Sequence, residues 1–131
     1  NSSELLPRSD YPEHKDWFGD DGTQLCYSAH GNEQELELMV AEAARKLEVS
    51  IRFYNPIEYP EKNRIGITVE DGGKFCTCSK CAELRKQYGT DAAVVIRFLN
   101  KVNDKVQAWF AQPENEPYRR DDFKIVFFAY I

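Results

Sequence analysis

The amino-acid sequence predicts an α/β protein made of parallel βαβ units, a segment of a (β/α)8 TIM barrel. Three observations carry that expectation. Stretches of period-two apolar alternation take turns along the chain with stretches of helical period. The final stretch, 122–131 (DFKIVFFAYI), is apolar almost throughout, as strands buried on both faces of a parallel sheet are. Only three strands are legible, near 24–29, 65–70 and 123–130. So few would leave pairing edges bare, which makes the chain part of a larger α/β assembly, the remainder of a parent barrel.

The 131 residues suit one domain, with an irregular arm over 1–22 and the strands and helices over 23–131. The hydrophobic share of 42% is enough for a core, and 30% charged residues suit a wet surface. A net charge of -5 with no basic block argues against nucleic acid as partner. No apolar run approaches a membrane span. The chain opens on Asn1 without an apolar leader, as a processed or excised piece would.

The arm is broken by prolines, glycines and adjacent acids, and Trp17 and Phe18 are expected to pack it down. Leu25, Tyr27 and Ala29 alternate with Gln24, Cys26 and Ser28, the pattern of a short strand. His30-Gly31 then turns the chain, and Asn32 caps a helix with Glu35 as its capping-box partner. Leu36, Met39, Val40, Ala43 and Leu47 form that helix's core face. Residues 50–63 read as a connection packed by Phe53, Tyr54 and Tyr59. Ile65, Ile67 and Val69 give the second strand one apolar face. A short helix over 79–88 ends at Gly89, and Thr90 caps a long one. The long helix carries Val95, Phe98, Leu99, Val102, Val106 and Trp109 as its stripe, with Asn100 and Asn103 at the edge. A polar loop bracketed by Pro113 and Pro117 leads to the last strand.

The chemistry concentrates in 64–81, RIGITVEDGGKFCTCSKC. Glu70 and Asp71 stand at the carboxyl end of the second strand, where α/β sheets and barrels place their ligands. Gly72-Gly73 lets the backbone turn beside them. Cys76, Cys78 and Cys81 follow in one loop and the first turn of a helix. A structural zinc ion takes four tetrahedral ligands, and C-x-x-C is a standard half-site. Cys26 is the candidate fourth ligand and His30 its substitute. Disulfides, in an oxidising compartment, and free thiols are the alternatives.

The motifs QLCYSAHGN, ITVEDGGKFCTCSKCAEL, VIRFLNKVNDKV and IVFFAY, in that order, resemble an uncharacterised glycosidase-like barrel family. That family is common in polysaccharide-degrading bacteria. YPEHKDWFG adds a Pro-Glu-aromatic stretch, and the likeness spans about residues 11–130. The resemblance implies a barrel related to α-glucuronidases and β-hexosaminidases, a glycan or polysaccharide as partner, and export from a bacterium. It carries Asp71 over as a site residue. The family's acidic turn usually reads Asn-Asp-Gly, whereas this chain has Glu70-Asp71-Gly72, and it often has His where Tyr11 stands.

Glycoside hydrolysis needs one carboxylic acid to protonate the leaving oxygen and a second group as base or nucleophile. Glu70 and Asp71 are the candidate catalytic residues. Sugar or metal binding without catalysis, or two solvated acids in a turn, are the other roles open to them. His30, Asn32 and Tyr130 are candidates for substrate binding. Tyr11, Trp17 and Tyr27 join Tyr130 as aromatic rings able to stack on sugar or to pack a core. Two functional classes follow: a glycoside hydrolase-like domain, or a non-catalytic carbohydrate-binding or structural domain with a cysteine site. A stand-alone zinc-binding interaction domain is the third.

Overall fold

The computed structural model describes residues 5–19, 24–68 and 75–128. Helix α1 runs Glu33–Phe53, strand β1 Arg64–Thr68, helix α2 Ser79–Tyr88, helix α3 Asp91–Phe110 and strand β2 Lys124–Phe128. Short 3-10 turns lie at Arg8–Asp10, Lys15–Trp17, Ala29–Gly31 and Pro113–Tyr118. No helix among the described residues is long and apolar enough to cross a membrane.

The two long helices make the core. Spacing of three and four residues puts Leu36, Met39, Val40, Ala43, Leu47 and Ile51 of α1 on one buried face. The same spacing buries Val95, Phe98, Leu99, Val102, Val106 and Trp109 of α3, which packs against α1. Each of the Leu, Met, Val, Ile and Phe side chains contributes about 1.5–3 kcal/mol on burial. The helix starts are as their caps dictate. Asn32 Oδ1 accepts from the Glu35 amide at 3.1 Å, and Thr90 Oγ1 from the Ala93 amide at 3.1 Å. Glu35 does not close the capping box, because its carboxylate turns to His14 Nδ1, 2.8 Å away. Gly89 ends α2 at φ 88, a left-handed conformation that suits glycine. Helix α1 continues through 50–53, read from sequence as connection, since its first proline, Pro56, stands beyond the C-cap at Tyr54.

The barrel segment is not what forms. Among the described residues the sheet has two strands, β1 and β2, paired in parallel with Arg64 opposite Lys124 and Thr68 opposite Phe128. The expected strand near 24–29 is absent. Leu25 makes one isolated antiparallel bridge to Phe18, Tyr27 and Ser28 lie in a turn, and Ala29–Gly31 is a 3-10 turn. The reason is visible in the burial: Gln24, Leu25, Cys26, Tyr27, Ser28 and Ala29 are all buried, on both sides of the apparent alternation. Their backbone is paired instead by the arm and by local turns. Cys26 N–H donates to Trp17 O at 2.7 Å, Gly19 N–H to Gln24 O at 2.7 Å, and Ala29 N–H to Cys26 O at 3.1 Å. Without that strand the order of elements no longer builds a barrel wall. The last strand also differs from expectation. Lys124 is exposed and Ile125, Val126 and Phe127 are half-buried, so β2 is not covered on both faces. Asn100 and Asn103 stand at the edge of the α3 stripe, in an open groove shared with Phe123, Ile125 and Phe127.

The arm is part of the core. Leu6, Tyr11, Trp17 and Phe18 are buried, and Trp17 lies between the rings of Tyr11 and His14. Tyr11 Oη–H donates to Glu42 Oε2 at 2.7 Å, and Arg45 Nε donates to Glu42 Oε1 at 2.6 Å. The Arg45 guanidinium, helped by the Tyr11 hydroxyl, holds the Glu42 carboxyl down at about 2. A depressed carboxyl stabilises the fold above its ordinary value of 4.5, and that contribution is lost as pH falls toward 2. Glu42→Gln is therefore expected to cost about 1 kcal/mol in urea unfolding at pH 7. The gap to the parent chain should narrow as pH falls from 4.5 toward 2, and a gap that keeps its pH 7 size down to about pH 2.5 would contradict the linkage.

Arg120 was not anticipated. It is buried, and its guanidinium donates to the carbonyls of Tyr54, Tyr59 and Pro60. It thereby satisfies the C-terminal end of α1 and the turn that follows, where carbonyls have no helical partner.

Candidate metal centre

Four cysteines from two places in the chain meet in one cluster. Cys26 comes from the buried turn that docks on the arm. Cys76 and Cys78 lie ahead of α2, and Cys81 is in its first turn. Their sulfur atoms all lie within 4.8 Å of one another. Cys26 Sγ is 3.7 Å from Cys78 Sγ and 3.6 Å from Cys81 Sγ. All four are free cysteines, and these spacings are far beyond the ~2.05 Å of a disulfide. They match another geometry: Zn–S bonds of ~2.3 Å in a tetrahedron put the sulfurs about 3.8 Å apart.

Local structure explains the convergence. Cys78 is the N-cap of α2, and its sulfur accepts from the Cys81 amide at 3.5 Å, which turns both side chains to one side. On the opposite side, Ala29, His30 and Gly31 have φ of 49, 52 and 81. A left-handed run through two non-glycine residues costs roughly 1–2 kcal/mol each. It delivers the His30 amide to Cys26 Sγ at 3.2 Å. It also brings the chain against α2, where a Cβ on Gly31 would meet Lys80 Cβ at 3.4 Å. Cys26 is fully buried, Cys76 and Cys81 nearly so, and Cys78 half-buried.

The electrostatics follow from packing thiols this close. Hydrogen bonds from Cys76 and then Cys81 pull the Cys26 thiol far below its ordinary range. The Cys76 thiol is pushed up by donating to Cys26, and Cys81 is pushed up to about 12 for the same reason. The charge thus favours Cys26, while Cys76 and Cys81 hold their protons. A cation at the centre would displace those protons and use all four sulfurs. The donor set, the spacing of Cys26 from Cys78 and Cys81 and the backbone N–H groups aimed at sulfur all fit a structural metal ion.

The other candidates fall elsewhere. His30 was the substitute ligand, but its Nε2–H donates to Phe18 O at 2.7 Å, tying the ring to the arm. The metal-competent group among the described residues consists of cysteines alone. Asn32 serves as helix cap, and its Nδ2 reaches Asp16 Oδ2 at 3.5 Å. Tyr11, Trp17 and Tyr27 are buried, so these rings pack the core and present no stacking platform. Glu70, Asp71 and Tyr130 lie outside the described residues.

One functional residue escaped the sequence reading. Ser28 is 2% exposed, and its Oγ stands 3.1 Å from Cys81 Sγ, 3.5 Å from Cys26 Sγ and 3.9 Å from Cys78 Sγ. The available signal was its place two residues after Cys26.

Comparison with known proteins adds a family and little else. No curated protein and no solved structure matches the chain. A family model described as Domain of unknown function (DUF4838) matches residues 2–114, which takes in the arm, all four cysteines and both long helices. The chain belongs to the DUF4838 family.

Proposed function

We propose that this chain is a zinc-clamped structural domain, with Cys26, Cys76, Cys78 and Cys81 as the ligands. The observation that supports the reading most is the sulfur geometry: four thiols from two distant segments within 4.8 Å of one another, with Cys26 standing from Cys78 and Cys81 at the edge length of a zinc–thiolate tetrahedron. Zinc bound there has no open position, so it supplies folding energy and no Lewis-acid chemistry. It would join the buried turn at 24–31 to the start of α2, two segments that already meet where Gly31 lies against Lys80. The motif resemblance adds a setting: a carbohydrate-active protein of an exported bacterial kind, with a glycan as partner and Asp71, beside Glu70, as the acid nearest the cysteine loop. In that setting the non-catalytic role is the better supported of the two, because it rests on a described site.

The test is metal content and thiol state together. Protein purified without added chelator is expected to carry one zinc ion per chain. Its four thiols should resist alkylation until a chelator is added. Protein free of metal, with its cysteines paired as disulfides, would remove the zinc reading.

A further inference from the structure

We infer that Ser28 is a positioning residue for the metal centre: its hydroxyl stands against the sulfurs of Cys26, Cys78 and Cys81 and donates a hydrogen bond to Cys81 Sγ. The inference rests on the zinc reading and adds to it what controls the ion's release.

The geometry is specific. Ser28 Oγ lies 3.1, 3.5 and 3.9 Å from Cys81, Cys26 and Cys78. A point at those distances from three corners of a tetrahedron of ~3.8 Å edge is either the fourth corner or its mirror image outside the face. Cys76 supplies the fourth corner, so the hydroxyl lies outside the face opposite Cys76. The site is buried there, since Ser28, Cys26 and Cys81 are 2%, 0% and 5% exposed.

The direction of the hydrogen bond follows from charge. Thiolates bound to a cation are acceptors only, so the hydroxyl must donate, and Cys81 is its nearest acceptor at 3.1 Å. Backbone amides donate to the other sulfurs: His30 to Cys26, Cys81 to Cys78 and Cys78 to Cys76. Ser28 therefore serves the sulfur that none of these amides reaches. Four thiolates around one divalent ion carry excess negative charge in a buried place, and each donated hydrogen bond withdraws part of it. Such outer partners typically change metal affinity about 10–100-fold.

The experiment compares zinc release from the parent chain and from Ser28→Ala. Each is loaded with one equivalent of zinc and mixed with excess EDTA, and a metallochromic dye reads the loss. Ser28→Ala is expected to release zinc about 10–100-fold faster, with an unchanged far-ultraviolet circular dichroism spectrum. With cobalt(II) in place of zinc, the sulfur-to-metal charge-transfer band should shift in Ser28→Ala. Ser28→Thr, which keeps the hydroxyl, should retain the parent band. Equal release rates and an unshifted band in Ser28→Ala would overturn the inference while leaving the zinc reading intact. A Ser28→Ala chain that stays unfolded even in saturating zinc would make Ser28 a packing residue and overturn it too. A parent chain that retains no zinc would overturn both.

Discussion

Stripping the metal with a chelator is expected to lower the thermal midpoint of this domain by about 12–20 °C. The size follows from linkage: an ion bound only by the folded chain stabilises it by about 4 kcal/mol when free zinc stands 1,000-fold above its dissociation constant. For a domain of this length each kcal/mol moves the midpoint by about 3–5 °C. The core of α1 and α3 should keep the chain partly folded without metal, so the expected state is a destabilised domain and not a random coil. Cys26→Ser should reproduce the loss whether or not zinc is supplied, because it removes the ligand that joins the two segments. The effect has a pH sign. Cys76 and Cys81 are pushed up in the metal-free cluster and must lose protons to bind. Affinity should therefore fall as pH falls, by about one decade per unit for each proton displaced. Calorimetric scans with and without EDTA, and zinc titrations at pH 6 and pH 8, check both statements. A midpoint indifferent to chelator would contradict the structural role of the ion.

Phe98→Ala is expected to cost about 3–5 kcal/mol in urea unfolding, the usual toll for emptying a buried phenyl site. Phe98 is 1% exposed and lies edge-on to Tyr27, with ring centroids 5.5 Å apart. The contact matters because Tyr27 sits between Cys26 and Ser28. Truncating Phe98 removes the surface on which the cysteine-bearing turn rests, so zinc retention should weaken along with stability. Phe98→Leu keeps most of the volume and should cost less than about 2 kcal/mol. A cavity variant as stable as the parent, or one that loses stability but holds zinc unchanged, would show that α3 does not support the site.

The legible parts of this chain share a physical character: their causes are local. Asn32 and Thr90 can be read as caps because the amide each one takes is three residues away. Gly89 can be read as a helix end because only its own φ decides it. The stripes of α1 and α3 announce their buried faces by spacing alone. Cys76, Cys78 and Cys81 were legible as a half-built metal site for the same reason, since one loop and one helix turn hold them together.

What failed was decided at a distance. Residues 24–29 alternate as a strand does, yet strand and buried turn differ in where the backbone finds its partners, and here the arm supplies them. The barrel expectation rested on that strand and went with it. Glu35 was expected to close its own helix cap, and it pairs with His14 on another segment. Arg120 takes carbonyls some sixty positions earlier in the chain, which no window on the sequence can see.

The sequence by itself determined the long helices, their caps and the presence of a thiol-rich loop, all set by interactions within a few residues. Only the tertiary structure decided that 24–31 is a buried turn, left-handed at 29–31, that Cys26 completes the cluster, and that Ser28 stands beside its sulfurs. Those outcomes depend on which surfaces the arm and α3 leave for that turn to fill, and packing of that kind exists only once the whole chain is assembled.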